Sequence, residues 1–169
     1  MESTIDNKSK WYAVYTRSRA EKKVLQNLQE NGIEAYLPLI KTLRQWSDRK
    51  KMVEVPLIPS YIFVKITDKE YTKVLGTDGA VAFITFERKK VAIPDKQIIA
   101  MRTMVETGMD IEATTEHLRK GDVVRVGTGP LRGVKGEVIE VNGKQRFVLR
   151  IDIGYTLVVS LQGVELIKL

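Results

Sequence analysis

Residues 55–64, VPLIPSYIFV, constrain this chain more than any other segment. Two prolines bracket Leu57 and Ile58, and an aromatic-rich strand follows at once. In that strand Tyr61 and Phe63 share one face, because strand side chains alternate sides. A basic, turn-like run, Arg44-Gln45-Trp46-Ser47-Asp48-Arg49-Lys50-Lys51, comes just before it. The order predicts a cationic hairpin tip beside an apolar strand with an aromatic face. That suits a protein that touches nucleic acid with one part and another protein with the next.

The remaining strands and helices follow from local pattern. Residues 11–16 (WYAVYT) read as a short strand, rich in aromatic and β-branched residues. Ser18-Arg19-Ala20-Glu21 has the spacing of a capping box, with Ser18 as N-cap. The helix it opens carries Ala20, Val24, Leu25 and Leu28 on one stripe, and Asn31-Gly32 supplies a stop. Residues 34–43 and 52–66 read as strands flanking the basic turn. Residues 68–75 read as a short helix, 80–86 and 90–93 as strands, and Pro94-Asp95 as the start of a last helix lined by Ile98, Met101 and Val105. The expectation is an α+β N-terminal domain over 10–105, with an antiparallel sheet and flanking helices.

Residues 106–117 (ETGMDIEATTEH) have no clear periodicity and read as a mobile linker. From 118 to 169 the pattern changes to five short strands: 122–126, 136–141, 146–151, 156–161 and 164–167. Glycines punctuate them, and Asn142-Gly143 is a strong hairpin turn. Such a series predicts a small five-stranded β-barrel, which disposes of exposed edges.

Composition narrows the function classes. At 43% apolar and 29% charged, the 169 residues match a soluble globular protein of one medium or two small domains. Without cysteine there are no disulfides and no thiolate metal sites. The N-terminus MESTIDNKSK has no apolar run, and no window approaches the roughly 18 apolar residues of a spanning helix. The expectation is a cytoplasmic protein without a membrane association. Net charge is +7, and residues 1–105, with 19 Lys and Arg against 12 Asp and Glu, hold all of it. Such polarisation marks a nucleic-acid face more often than a merely soluble one.

Catalysis finds no support. The single histidine, His117, lies in the expected linker, and no His/carboxylate set has metal-ligand spacing. Gly127-Thr128-Gly129-Pro130-Leu131-Arg132-Gly133 is not a phosphate loop, because no Gly-Lys-Ser/Thr follows and the next element is a strand. No cofactor is implied.

The two halves together resemble the NusG family of transcription elongation factors. WYAVYTRSRAEKKV is similar to the family's opening strand and helix, VPLIPSYIFV to its P-x-x-P-x-Y-x-x-V strand, and GAVAFITF with IPDKQI to its closing strand and last helix. Residues 121–126 and 129–138 resemble the opening of the family's KOW domain, of SH3-like barrel fold. The RQWSDRKK turn and the short linker look like the specialised RfaH and UpxY paralogues, which act on particular operons, often for surface polysaccharides. Two positions depart from the pattern: Ile153-Gly154-Tyr155 stands where many members have Phe-Gly-Arg, and Leu131 where Phe often follows Gly-Pro.

The resemblance implies a non-enzymatic, monomeric factor that binds elongating RNA polymerase and promotes processive elongation or antitermination. It implies that Tyr15, Ile58, Pro59, Tyr61 and Phe63 grip the polymerase clamp helices; from the pattern alone, Tyr15 and Phe63 could equally be core. It implies that Arg17, Arg19, Lys22, Lys23, Gln26 and Asn27, at the start of the first helix, receive the non-template DNA strand; the alternative is a solvated amphipathic face. Arg44, Trp46, Arg49, Lys50 and Lys51 could contact DNA or polymerase, or Trp46 could pack on its own hairpin. Leu131 and Ile153 would present an apolar KOW face to a ribosomal protein or Rho. A general NusG factor and an RNA-binding, ribosome-associated KOW protein are the competing readings.

Overall fold

The computed structural model describes residues 8–169; the reading of the first seven residues lies outside them. In chain order the elements are β1 (Lys10–Thr16), α1 (Glu21–Glu30), β2 (Glu34–Tyr36), β3 (Leu39–Trp46), β4 (Arg49–Pro56), β5 (Tyr61–Ile66), α2 (Tyr71–Leu75), β6 (Ala80–Phe83), β7 (Thr85–Phe86), β8 (Lys89–Lys90), α3 (Asp95–Glu106), β9 (Ile111–Thr114), β10 (Asp122–Val126), β11 (Lys135–Val141), β12 (Lys144–Ile151), β13 (Tyr155–Val159) and β14 (Leu166–Lys168). A short 3-10 turn, Asp68–Glu70, leads into α2. The chain divides into two compact units, one of residues 8–38 with Ile58–Asp95, the other of Leu39–Leu57 with Lys96–Leu169.

The first unit is built on an antiparallel sheet in the order β2-β5-β1-β6. β1 and β5 are its central strands, paired from Lys10 opposite Ile66 to Tyr15 opposite Tyr61. Both strands are buried on both faces: Ala13 and Phe63 on one, Val14, Ile62 and Val64 on the other, all at 0% exposure. That is why WYAV and IFV read as continuous apolar runs rather than alternating ones. Helix α1 packs on β2 and β5, burying Val24 and Leu28.

The expected Ser18 capping box does not form. α1 begins at Glu21 with Ala20 at the N-cap, and no side chain caps it. A capping box does form at Thr67, whose side chain and Glu70 answer each other across the 3-10 turn. The strand expected over 34–43 is broken at Leu37-Pro38, because proline cannot continue a ladder. The strand expected over 52–66 breaks likewise at Leu57–Ser60.

The second unit contains the β3–β4 hairpin, α3 and a six-stranded antiparallel sheet in the order β14-β10-β11-β12-β13-β9. Its five C-terminal strands correspond to the five expected. The sixth, β9, comes from the stretch read as a linker and pairs with β13, Ile111 opposite Val159 through Thr114 opposite Thr156. Its four residues are too few for periodicity to betray them, and only Ile111 is fully buried. The Asn142-Gly143 turn forms as expected, with φ of 52° and 73° at its two positions. On α3 the buried residues are Ile98, Ala100, Met101 and Met104, with Val105 only half-buried.

Candidate interaction surfaces

Tyr15 and Tyr61 stand directly opposite each other on β1 and β5, and their rings meet edge to face at 5.5 Å. Tyr15 is 43% exposed and Tyr61 is half-buried, while Pro59 projects into solvent. Ile58 and Phe63, expected on this surface, are both at 0% exposure and belong to the core. The sheet's double-sided burial explains this: Phe63 sits two residues inward from Tyr61, where both faces are covered. The polar framework of this surface is the loop before β5. Ser60 takes a left-handed conformation (φ 66°), its carbonyl accepts the N–H of Thr16 at 2.8 Å, and its own N–H donates to Glu21 Oε1 at 3.0 Å. Glu21 is therefore buried for a reason other than capping.

The cationic edge of α1 is tied to this loop by that bond, although 39 residues separate Glu21 from Ser60 in the chain. Arg17, Arg19, Lys22, Lys23 and Gln26 are exposed and Asn27 is half-buried. Arg19 is held left-handed at φ 63°. Arg17 is ion-paired with Asp78, and its backbone N–H donates to the Gly79 carbonyl at 2.9 Å. Gly79, at φ 93°, has no room for a side chain: a Cβ there would stand 2.6 Å from Val24 Cγ2. Gln26 donates to Glu30 Oε1 at 3.0 Å along the helix. Asp78 is the partner that local sequence does not announce, since 61 residues separate it from Arg17.

In the second unit, the β3–β4 hairpin runs in register from Leu39 opposite Pro56 to Trp46 opposite Arg49. The register puts Arg44, Trp46, Arg49 and Lys51 on one face, and Lys50 on the other with Leu43 and Met52. Arg44 and Lys51 are directly opposite, a like-charge pair that costs stability. Trp46 is 51% exposed, so it is not covered by its own hairpin. A face of three cations and one open indole is chemically suited to phosphates and an unstacked base.

The expected KOW partner face does not hold together. Leu131 is at 1% exposure, folded inward by a tight turn in which Arg132 N–H donates to the Gly129 carbonyl and Gly133 N–H to the Val126 carbonyl. Ile153 is half-buried. The exposed apolar residues of this sheet are instead Val123 and Ile167, at 42% and 43%. Arg150 anchors the approach to β10: it pairs with Glu137 at 2.7 Å and donates to the carbonyls of Leu118 and Arg119. Burial alone would raise the Glu137 carboxyl. Hydrogen bonds from Arg150 and from the Gly121 N–H, with the Arg150 charge, outweigh it and hold the carboxyl below the usual glutamate range.

Among the described residues no group of three or more His, Cys, Asp or Glu is placed to hold a metal, and no helix is long and apolar enough to cross a membrane. The family model for transcription termination factor NusG matches residues 9–102, more than half the chain. The chain belongs to the NusG family. NusG proteins are transcription termination and antitermination factors, and full-length relatives agree. The transcription termination/antitermination protein NusG of Rickettsia typhi is 26% identical over 171 residues, spanning 90% of this chain and 88% of its own. NusG of Deinococcus radiodurans is 24% identical over 163 residues, spanning 80% and 85%. A solved structure of Thermotoga maritima NusG shares the fold, with a TM-score of 0.51, 23% identity, and 95% and 97% of the two chains covered.

Proposed function

We propose that this NusG-family protein is a non-enzymatic cytoplasmic factor that rides on elongating RNA polymerase and favours processive elongation of particular operons. Tyr15, Pro59 and Tyr61 are the polymerase-facing surface. Arg17, Arg19, Lys22 and Lys23 receive the exposed non-template strand, and the Arg44–Lys51 hairpin adds a further cationic contact. Residues 118–169, as a KOW-type barrel, recruit a second protein, a ribosomal protein or Rho.

The observation that carries this reading is the Glu21–Ser60 hydrogen bond. It ties the first turn of the cationic helix to the loop beside the open tyrosine pair, so one rigid element supports both surfaces. Tyr61→Ala tests it. Truncating an aromatic anchor at an interface centre costs about 2 kcal/mol or more, about thirtyfold in affinity. The folded variant should be absent from polymerase pull-downs; retention at wild-type affinity overturns the assignment. A general termination/antitermination role is the second reading, favoured by the names of the relatives. Transcript profiling after deletion separates them: a few long operons shortened for the specialised factor, a genome-wide change for the general one.

A further inference from the structure

The short β7–β8 hairpin in the first unit carries exposed groups that belong neither to the tyrosine pair nor to the helix edge. Thr85 pairs with Lys90 and Phe86 with Lys89, leaving Glu87-Arg88 as a two-residue turn. Both turn residues are left-handed, at φ 49° and 65°, yet neither is Gly or Asn, the residues that such a turn favours. Two-residue strands do not hold a strained turn by themselves. The anchor is Lys90. Its Nζ lies 3.3 Å from Asp68, 4.4 Å from the centre of the Tyr71 ring, 5.1 Å from Tyr12 and 5.8 Å from Phe83. Tyr71 stacks on Phe83 at 4.7 Å, closing the cluster.

This anchor decides which way the tip faces. Neighbouring cross-strand pairs point to opposite sides of a ribbon. Lys90 points into the aromatic cluster, so Phe86 and Lys89 point away from it. Phe86 is 71% exposed, more than any other large apolar side chain described. Lys89 stands directly across from it, and the turn between them carries the exposed Glu87 and Arg88, so the tip has two cations against one carboxylate. An open ring with a cation opposite and a second beside it fits a nucleotide, with the base on the ring and phosphates on the cations. A protein partner would more often meet an exposed ring with a further apolar surface, and here the neighbours are charged.

We propose that Phe86, Arg88 and Lys89 form a second, sequence-tolerant contact for single-stranded DNA. It rests on the reading of this protein as one that works on an opened duplex. It lies at the other end of β1 from Arg17, since Trp11 pairs with Ile93 just after the hairpin, and Thr16 with Ala80. Those two pairings are about five strand steps, or about 17 Å, apart along β1.

The test uses the full chain and 5-iodouracil-substituted oligo-dT at low salt, with oligo-rU and duplex DNA as comparisons. Photocrosslinking should label Phe86 or its neighbours. Phe86→Ala should weaken oligo-dT about tenfold, and Phe86→Tyr should restore it. Lys89→Ala should lower the salt slope by about 0.7. The quadruple alanine variant of Arg17, Arg19, Lys22 and Lys23 should leave the Phe86 crosslink in place. No binding by wild type, or unchanged binding in Phe86→Ala with no crosslink at the tip, overturns the proposal. If the quadruple variant alone abolishes binding, the tip is wrong and the α1 reading stands; if only the tip variants abolish it, the reverse holds. Preference for oligo-rU assigns the tip to RNA and overturns the choice of DNA.

Discussion

Glu21 Oε1 accepts the backbone N–H of Ser60 at 3.0 Å, joining the first turn of α1 to the loop that launches β5. A buried carboxylate accepting a backbone N–H holds a charge-assisted hydrogen bond. It also fixes Ser60 in a left-handed conformation that serine does not favour. Glu21→Ala should therefore destabilise the protein by about 1.5–3 kcal/mol. Denaturant unfolding gives the energy, and hydrogen exchange at the Ser60 amide gives the cause. Unchanged exchange at Ser60 would show that the bond does not hold the loop.

Phe63 and Tyr15 share a sheet face but differ in kind. Phe63→Ala should cost about 3–5 kcal/mol by opening a cavity in the core. Tyr15→Ala should cost far less stability and remove the edge-to-face contact with Tyr61. A double-mutant cycle over Tyr15 and Tyr61 should return a coupling of about 0.5–1.5 kcal/mol. Equal destabilisation by Phe63→Ala and Tyr15→Ala would contradict the burial pattern.

Replacing Arg17, Arg19, Lys22 and Lys23 by alanine should lower the salt slope of single-stranded DNA binding by roughly 0.7 for each phosphate no longer neutralised. Asp78→Asn works in the opposite direction. It frees the Arg17 guanidinium from an exposed ion pair, and DNA affinity should rise by up to about fivefold. A fall in affinity on removing Asp78 would mean that the pair, rather than the free cation, makes the contact.

Arg44 faces Lys51 across the β3–β4 hairpin. Lys51→Glu turns that repulsive pair into an attractive one, worth about 0.2–1 kcal/mol relative to alanine. The hairpin should become more ordered by amide exchange while duplex or single-strand DNA binding weakens. Stronger DNA binding by Lys51→Glu would rule out an anionic partner for that face.

Glu137 makes the C-terminal sheet acid-sensitive. Its carboxyl is held below its unfolded value by Arg150 and the Gly121 N–H. A depressed folded value means that the contribution is full above the unfolded glutamate range and disappears as pH falls through the folded one. Glu137→Gln should flatten the acid limb of the stability profile for this sheet. The check is two-dimensional NMR of the Leu118–Gly121 amides during an acid titration of wild type and variant.

What is legible in the sequence follows the range of the interactions. The strand within VPLIPSYIFV, the turn Asn142-Gly143, the amphipathic α1 and the five C-terminal strands are local patterns, and each is present. Burial of Ile58 and Phe63 is not legible, because alternation names the face of a residue and not what covers that face. Leu131 is hidden for the same reason: its turn, closed by hydrogen bonds to the Val126 and Gly129 carbonyls, folds it inward. Glu21 is ambiguous because a capping box and a tertiary clamp use the same residue at the same place. Asp78 and Lys90 draw their roles from partners far along the chain, which no spacing rule reaches. β9 escapes local pattern because its order comes from β13 and not from its own four residues.

Gly79 carries no charge and no side chain, yet it governs a surface made of charges. Because Val24 Cγ2 stands 2.6 Å from where a Cβ would go, every missense change at this codon introduces an atom that the Val24 side of α1 must give way to. Such alleles would shift Arg17 and the helix behind it while leaving every charged group of the surface present. A genetic selection for loss of activity would then recover Gly79 alongside Arg17, Arg19, Lys22 and Lys23. Its phenotype would mimic theirs, and its protein would still fold.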